Sequence, residues 1–272
     1  MCLTDGKIRL IIKKQRCRKA IGMVIKREIK IPNLSGDMKR RLYVYLPEDY
    51  EKSADRYPVL YMFDGHNVFF DEDATFGKSW GMNDYMLKSG RKLIIAAVEC
   101  NTEGNKRLEE YSPVDFVYAP VGAVEGKGDK YMDWLVNTLK PSVDQEFRTL
   151  SDRAHTAIAG SSMGGLMALY AACAYNCVFQ KAACLSPSLW IAPENILDIL
   201  KKSDLKKDTV IYMDYGSKEM KNHAKSKDAL MKMVTFLMEA GANVTFRIVP
   251  NGNHSEASWE KQIPVFMECL NQ

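Results

Sequence analysis

The stretch that most constrains this chain runs from Ile158 to Gly165 and reads Ile-Ala-Gly-Ser-Ser-Met-Gly-Gly. It contains the pattern Gly160-x-Ser162-x-Gly164, in which a serine on a strained turn exposes its hydroxyl above a sheet. That pattern requires a strand before the serine and a helix after it. Residues 154–159 can form a buried strand, and residues 166–174 are rich in helix formers. We therefore favour a strand–turn–helix unit over a plain Gly/Ser-rich loop, with Ser162 placed to attack a carbonyl group.

Length and composition bound the class of protein. The chain has 272 residues, of which 46% are hydrophobic and 26% charged, as in ordinary globular proteins and unlike disordered ones. No apolar run approaches the roughly 18 residues of a membrane span, so we predict no transmembrane segment. The apolar run near the start is interrupted by Arg9 and followed by Lys13 and Lys14. This is untypical of a secretion signal, and we expect a cytoplasmic protein.

Positive charge is concentrated at the start of the chain. Residues 1–27 contain nine Lys or Arg residues and a single acid, Asp5, although the whole chain has a formal net charge of only +4. The segment lacks interleaved aromatic residues and any nucleic-acid-binding motif. We therefore predict that residues 1–22 form a solvated basic extension, that residues 23–272 form one domain, and that nucleic acid is not a partner.

The cysteines indicate neither disulfides nor a metal. Their number is odd, and no pair has CxxC or Cys/His metal spacing; they are Cys2, Cys17, Cys100, Cys173, Cys177, Cys184 and Cys269. We interpret them as reduced thiols, most of them buried. The sequence thus predicts no metal and no organic cofactor.

Strand and helix patterns alternate along most of the chain. Residues 24–31 and 41–46 alternate as an edge hairpin, and residues 58–63 and 93–98 are apolar runs typical of strands buried on both faces. Together with the strand before Ser162, later strands are predicted at 181–185, 209–215 and 244–249, with helices between them. Eight strands joined mostly by crossovers predict an α/β fold with a mostly parallel sheet covered on both faces.

The segment from 101 to 128 is polar, contains several Gly and Pro residues and shows no strong periodicity. A connection of this length in a compact domain is usually functional, so we predict a loop or cap over the site. A helix should follow from Lys130 to Phe147, with Pro141 marking a kink or a new helix start.

A serine nucleophile needs a base, usually a histidine held by a carboxylate. Of the four histidines, His254 lies in the loop directly after the last strand, where the base belongs in the order serine, acid, histidine. His66 follows a strand end, His155 is expected to be structural, and His223 is expected at the surface. His254 is therefore the predicted base.

The acid and the oxyanion donors are predicted from strand ends. Asp214 lies at the end of the strand before the last, and Glu219 lies in the loop that follows it. We favour Glu219 because a loop residue can reach the next loop. The developing oxyanion requires two backbone N–H donors. We assign them to Met163, which follows the nucleophile, and to His66 in the loop after the third strand.

Several motifs resemble one family of α/β hydrolases. They are Tyr57 to Gly65, Arg107 to Pro113, Gly160 to Gly165, Leu185-Ser186-Pro187-Ser188, and Gly252-Asn253-His254-Ser255 with Trp259. This set resembles the putative-esterase (esterase D-like) family, which includes feruloyl, acetyl-xylan and siderophore esterases and S-formylglutathione hydrolase. The resemblance covers the chain from about Val24 onward. It implies the α/β-hydrolase fold, Ser162 as nucleophile, His254 as base, and oxyanion donors on His66 and Met163.

The same resemblance places Ser186, Trp190 and the segment from Arg107 near a substrate pocket. Arg107 could meet an anionic substrate group, or it could simply pair with Glu109 or Glu110. Trp80 and Trp190 could stack on a substrate ring or pack in the core.

We therefore expect a serine carboxylesterase that acts on a small-molecule ester through Ser162, His254 and Glu219. Acyl transfer to another alcohol would use the same residues, and a silent binding protein could share the fold. The sequence does not choose among siderophore, sugar and thioester substrates, and it does not fix the oligomeric state.

Overall fold

A computed structural model describes residues 23–219 and 224–271. The predicted basic extension, residues 1–22, and His223 lie outside the described residues. The strands are β1 (Met23–Lys30), β2 (Lys39–Leu46), β3 (Val59–Met62), β4 (Ile94–Val98), β5 (Phe116–Tyr118), β6 (Gly122–Val124), β7 (Thr156–Ser161), β8 (Lys181–Leu185), β9 (Val210–Gly216) and β10 (Asn243–Val249). The helices are α1 (Pro32–Ser35), α2 (Met82–Ser89), α3 (Lys106–Glu110), α4 (Gly128–Trp134), α5 (Lys140–Glu146), α6 (Met163–Ala174), α7 (Pro193–Lys201), α8 (Ala224–Glu239), α9 (Glu256–Glu260) and α10 (Ile263–Cys269).

Eight strands form one sheet in the order β1-β2-β4-β3-β7-β8-β9-β10. The β1–β2 hairpin and the β2–β4 pair are antiparallel, and every later pair is parallel. The predicted eight-stranded, mostly parallel α/β fold is thereby confirmed. Because the carboxyl ends of parallel strands meet at one edge, the loops after β3, β7, β8, β9 and β10 share that edge.

The sheet is covered on both faces, as its continuous apolar strands require. One face packs against α4 to α8, with Leu166, Leu169 and Leu230 among the fully buried residues. The other packs against α2 and α10, with Met86 and Phe266 in its core. These two layers hold the carboxyl-end loops on a rigid support.

The predicted helix from 130 to 147 is helical as far as Glu146 but changes its hydrogen-bond pattern before Pro141. A π-helical turn, Leu135–Leu139, lies between α4 and α5, and its backbone is continuous with both helices. Proline removes one N–H donor from a helix, and the wider π turn immediately before Pro141 accommodates this loss. The last helical stretch of the described chain divides into α9 and α10, with Pro264 in the first turn of α10.

The segment from 101 to 128 contains regular structure that the sequence pattern did not reveal. It forms α3 and a small antiparallel hairpin of β5 and β6, in a two-stranded sheet of its own. Gly122 adopts a φ of 90° at the start of β6, and strands of three residues are too short for periodicity to show. The connection between the two strands of the predicted edge hairpin likewise contains a short helix, α1.

A buried ion pair fixes α3 to the main sheet. The Arg40 guanidinium, at the start of β2, approaches the Glu110 carboxylate to 2.7 Å, and both side chains are almost fully buried. Glu110 also accepts a hydrogen bond from the backbone N–H of Asn101 at 2.6 Å. The 101–128 segment is therefore anchored at α3 rather than loosely attached.

Four of the cysteines among the described residues are buried and one, Cys177, is exposed. Cys2 and Cys17 lie outside the described range. None of the helices in the described ranges has the length and apolar character of a membrane span.

Replacing Arg40 by Met should lower the free energy of unfolding by about 3 kcal/mol, because it leaves the Glu110 carboxyl buried without its partner. Urea unfolding followed by circular dichroism measures this loss. Lys39→Met is the matched control: the neighbouring Lys39 pairs with Glu28 in solvent, and its loss should cost less than about 1 kcal/mol. Equal effects of the two substitutions would contradict a role for the buried pair.

Candidate active site

The sharp turn between β7 and α6 carries Ser162. Its backbone has a φ of 58° and a ψ of −122°, a conformation that L-residues rarely adopt. The turn is tight enough that a Cβ on Gly160 would lie 2.5 Å from the carbonyl oxygen of Gly164. Only glycine fits there. The chain thus forms the strained strand-to-helix turn that the sequence pattern predicts.

Ser162, His254 and Glu219 form a continuous line of contacts. His254 Nε2 lies 2.9 Å from Ser162 Oγ, and His254 Nδ1 lies 2.6 Å from Glu219 Oε2. The His254 side chain is 45% exposed, whereas that of Glu219 is 6% exposed. A buried carboxylate therefore orients an imidazole that solvent and a ligand can reach.

Two neighbouring loops, after β9 and β10, bring Glu219 and His254 together. The Glu219 N–H donates to the Gly216 carbonyl, and the Lys218 N–H donates to the Gly252 carbonyl. A Cβ on Gly216 would lie 2.5 Å from Gly252, so this close approach requires glycine. The parallel pairing of β9 and β10 thus sets the distance between acid and histidine.

Ser186 and Trp259 hold the Glu219 carboxylate. Glu219 Oε1 accepts from the Ser186 hydroxyl at 2.8 Å and from the Gly216 N–H at 3.0 Å. The Trp259 indole N–H donates to Ser186 Oγ at 3.0 Å, and its ring packs edge-on against His254. Ser186 is 1% exposed. Its hydroxyl therefore faces the acid rather than a substrate pocket, unlike the sequence expectation.

Asp214 does not contact the histidine. It is buried in β9, where Oδ2 accepts from the Tyr212 hydroxyl at 2.8 Å and the Ser186 N–H points to Oδ1 at 3.3 Å. Burial raises the pKa of Asp214 to about 7, although the Tyr212 and Ser186 hydrogen bonds act against this shift. Strand direction thus separates the two candidate acids: Asp214 packs inside the sheet, and Glu219 projects from the loop.

The two expected oxyanion donors lie at helix starts. Met163 is the first residue of α6, and His66 lies in the short 3₁₀ turn Gly65–Asn67 after β3. N–H groups in a first helical turn have no acceptor within the helix. The His66 ring bonds Thr75 Oγ1 at 3.0 Å, and burial lowers the pKa of His66, which favours the uncharged ring.

Arg107 supports the loop of His66. Its Nε and Nη2 atoms bind both Asp64 oxygens, at 2.7 and 2.8 Å. Asp64 has a left-handed backbone with a φ of 55°. Neither Glu109 nor Glu110 pairs with Arg107. Glu109 pairs with Lys106 and Lys127, and Glu110 pairs with Arg40. The alternative that Arg107 pairs with Glu109 or Glu110 is therefore wrong, and the guanidinium that could have met an anionic substrate group is engaged by Asp64.

The remaining aromatic and histidine residues divide between rim and core. Trp190 is 38% exposed and packs against Tyr118 with ring centroids 5.3 Å apart. Trp190 lies two residues after Ser188, whose hydroxyl lies 3.4 Å from Ser162 Oγ. Trp80 is buried against Trp259 and belongs to the core. His155 is exposed and bonds Asp152.

One group of potential metal ligands occurs among the described residues, formed by Asp64, His66 and Cys100. All three are buried, and their donor atoms lie within 4.8 Å of one another. However, both Asp64 oxygens already accept from Arg107, which compensates the carboxylate charge. Burial also strongly raises the pKa of the Cys100 thiol. This arrangement favours an ion pair over a cation.

The family model described as "Putative esterase" matches residues 35–268. The chain is 25% identical to YbbA of Bacillus subtilis over 186 residues, which is 66% of this chain and 69% of YbbA. It is 28% identical to the siderophore triacetylfusarinine C esterase of Aspergillus fumigatus over 148 residues, 53% of this chain and about half (48%) of that protein.

Solved structures share the fold. A serine hydrolase of Shewanella oneidensis described as IroE-like superposes with a TM-score of 0.72 at 20% identity, covering 92% of this chain and 79% of that one. The fold is therefore that of the α/β serine hydrolases. This chain belongs to the putative esterase family and is a hydrolase that acts on esters.

Replacing Arg107 by Gln should destabilise the fold most at neutral pH. Burial acts to raise the pKa of Asp64, but the charge and hydrogen bonds of Arg107 outweigh it, and the pKa lies below its usual value. The stabilisation is present above the unfolded-state pKa of about 3.9 and is lost as pH falls through the folded-state value. The gap in unfolding free energy between the unsubstituted protein and Arg107→Gln should be about 3 kcal/mol at pH 7 and should shrink below about pH 4.

Urea unfolding at several pH values measures this gap. Lys106→Gln removes an adjacent, more exposed pair and should cost less than about 1 kcal/mol throughout. A gap for Arg107→Gln that did not change with pH would contradict the assignment to Asp64.

Asp214→Asn should change stability with the opposite pH dependence. The folded-state pKa of Asp214 is raised to about 7. The contribution of its carboxyl group to folding stability is therefore fully present below the unfolded-state pKa of about 3.9 and is lost as pH rises through 7. The asparagine variant lacks this loss. Its stability relative to the unsubstituted protein should therefore improve between pH 4 and pH 8 in urea titrations; a constant difference would show that Asp214 does not titrate in this range.

Proposed function

We propose that this protein is a serine carboxylesterase that works through an acyl-enzyme, with Ser162 as nucleophile, His254 as general base and Glu219 as the orienting acid. The observation that carries the proposal is the unbroken line of contacts from Ser162 Oγ to His254 at 2.9 Å and from His254 to Glu219 at 2.6 Å. A hydroxyl, an imidazole and a buried carboxylate at these distances match the requirements of nucleophilic catalysis.

The reaction follows from these contacts. Ser162 Oγ attacks the ester carbonyl while its proton passes to His254 Nε2, and the imidazolium then protonates the leaving alcohol. Water then attacks the acyl-serine while His254 Nε2 takes its proton. The imidazolium returns that proton to Ser162 Oγ as the carboxylic acid is released. Glu219, held by Ser186 and Gly216, keeps Nδ1–H directed at itself, so that Nε2 faces the serine.

The backbone N–H groups of His66 and Met163 are the proposed oxyanion donors. Both lie at turns fixed by neighbouring structure, His66 through the Asp64–Arg107 pair and Met163 through the start of α6. Donors that are fixed before the reaction stabilise charge without reorganisation. The neutral His66 side chain takes no chemical step in this scheme.

The proposed substrate is a small-molecule carboxylic ester. One relative is named a siderophore triacetylfusarinine C esterase, and another is named an endo-1,4-beta-xylanase/feruloyl esterase. Trp190, which packs against the half-buried Tyr118, lies two residues beyond Ser188, whose hydroxyl is 3.4 Å from Ser162 Oγ. We place this aromatic pair at the rim of the proposed site. An aromatic rim suits an ester with a flat or ring-shaped group. We further propose that residues 23–272 act as one catalytic domain.

Hydrolysis of p-nitrophenyl butyrate tests the nucleophile and the base. Ser162→Ala and His254→Gln should each reduce kcat by a factor on the order of 10⁵ or more. His155→Gln is the matched control, because His155 also contacts a carboxylate but lies at the opposite end of β7 from Ser162; it should keep nearly full activity. Unchanged turnover in Ser162→Ala would overturn the assignment of the nucleophile. No covalent adduct at Ser162 with a fluorophosphonate probe would favour a silent binding protein instead.

A second pair of variants tests the acid. Glu219→Gln should lower kcat by roughly 10³-fold with little change in KM, since the tautomer and orientation of His254 would no longer be held. Asp214→Asn should lower kcat less than about tenfold. The reverse ranking would assign the acid role to Asp214. Product analysis with a competing alcohol separates hydrolysis from acyl transfer.

A further inference from the structure

A cleft opens at the edge of the sheet opposite Ser162, and we call it the basal cleft. Its volume is about 900 Å³, within the range of small-molecule sites. It is lined by the first residues of β3, β7 and β8 and by the ends of α2 and α10. Ser162 follows the other end of β7, which has six residues, so the two sites are separated by roughly 20 Å of strand.

The charge of this basal cleft is one-sided. Three cationic residues line it, Arg91, Lys92 and Lys181, and none of its described lining residues is Asp or Glu. Arg91 is engaged by Glu268 and Tyr85, and Lys92 is engaged by Asp49. The two carboxylates, Glu268 and Asp49, lie outside the lining, whereas Tyr85 belongs to it.

Lys181 differs from these two cations. It is half-buried at the start of β8, opposite the small side chain of Ala157 in β7. Within the described residues its ammonium group has no hydrogen bond or ion pair, and burial without a compensating anion lowers its pKa. A partly desolvated cation in a cleft without acids attracts an anion strongly.

The rest of the lining is apolar in part. Leu93, Met267 and Leu270 contribute to the walls beside Lys181. We propose that the basal cleft is a binding site for a small organic anion, whose carboxylate or phosphate pairs with Lys181 and whose apolar body packs on these side chains. This site lies apart from the catalytic residues and does not rest on the proposed ester chemistry.

Methionine-methyl NMR tests the proposal within a single spectrum, because Met267 lines the cleft and Met163 follows the nucleophile. Phenyl phosphate and benzoate are the anionic probes, and phenol is the neutral control. We expect both anions, or one of them, to shift the Met267 methyl signal and leave Met163 unchanged, with phenol at least tenfold weaker. The stronger anion identifies phosphate esters or carboxylic acids as the source of the ligand.

Lys181→Gln should weaken binding of the stronger anion at least tenfold, while its Met163 signal shows that the fold is retained. Lys232→Gln removes a cation on α8 that pairs with Glu194 and should not change binding. Ser162→Ala should also bind normally, which separates this test from that of the esterase. Shifts confined to Met163, no shift at millimolar probe, equal binding of phenol, or an unaffected Lys181→Gln would each overturn the proposal.

Discussion

The carboxylate of Glu219 is the group on which the candidate site depends. Burying a carboxylate is costly unless its oxygens are paired, and here Ser186, Gly216 and His254 together satisfy both oxygens. Meeting that requirement brings the loops after β8, β9 and β10 to one point. The geometry of His254 is thus a consequence of how a single buried charge is compensated.

A similar principle governs the 101–128 segment. Its helix α3 carries Arg107 and Glu110, which pair with Asp64 and Arg40 of the main sheet region. Single partners left behind by mutation would be buried charges. These two ion pairs join the segment to the sheet and, through Asp64, to the loop of His66, so that a surface segment contributes to the shape of the site.

The two edges of the sheet have different chemistry. At the carboxyl edge, strained turns at Asp64 and Ser162 present backbone donors and a hydroxyl. At the opposite edge, strand starts and helix ends leave a cleft with excess positive charge. Lys181, half-buried at the start of β8, is one of the cations that line this second edge.

Local periodicity and glycine placement predict the order of strands and helices along the chain, the turn at Ser162 and the positions of His254 and the two possible acids. They do not reveal α3 and the β5–β6 hairpin, which are too short for a periodic signal. Three further contacts emerge only in the folded chain: Glu219 rather than Asp214 contacts His254, Ser186 binds Glu219, and Arg107 pairs with Asp64. Those contacts join residues more than 30 positions apart, and their distances are set by strand pairing and buried-charge compensation, which no local pattern encodes.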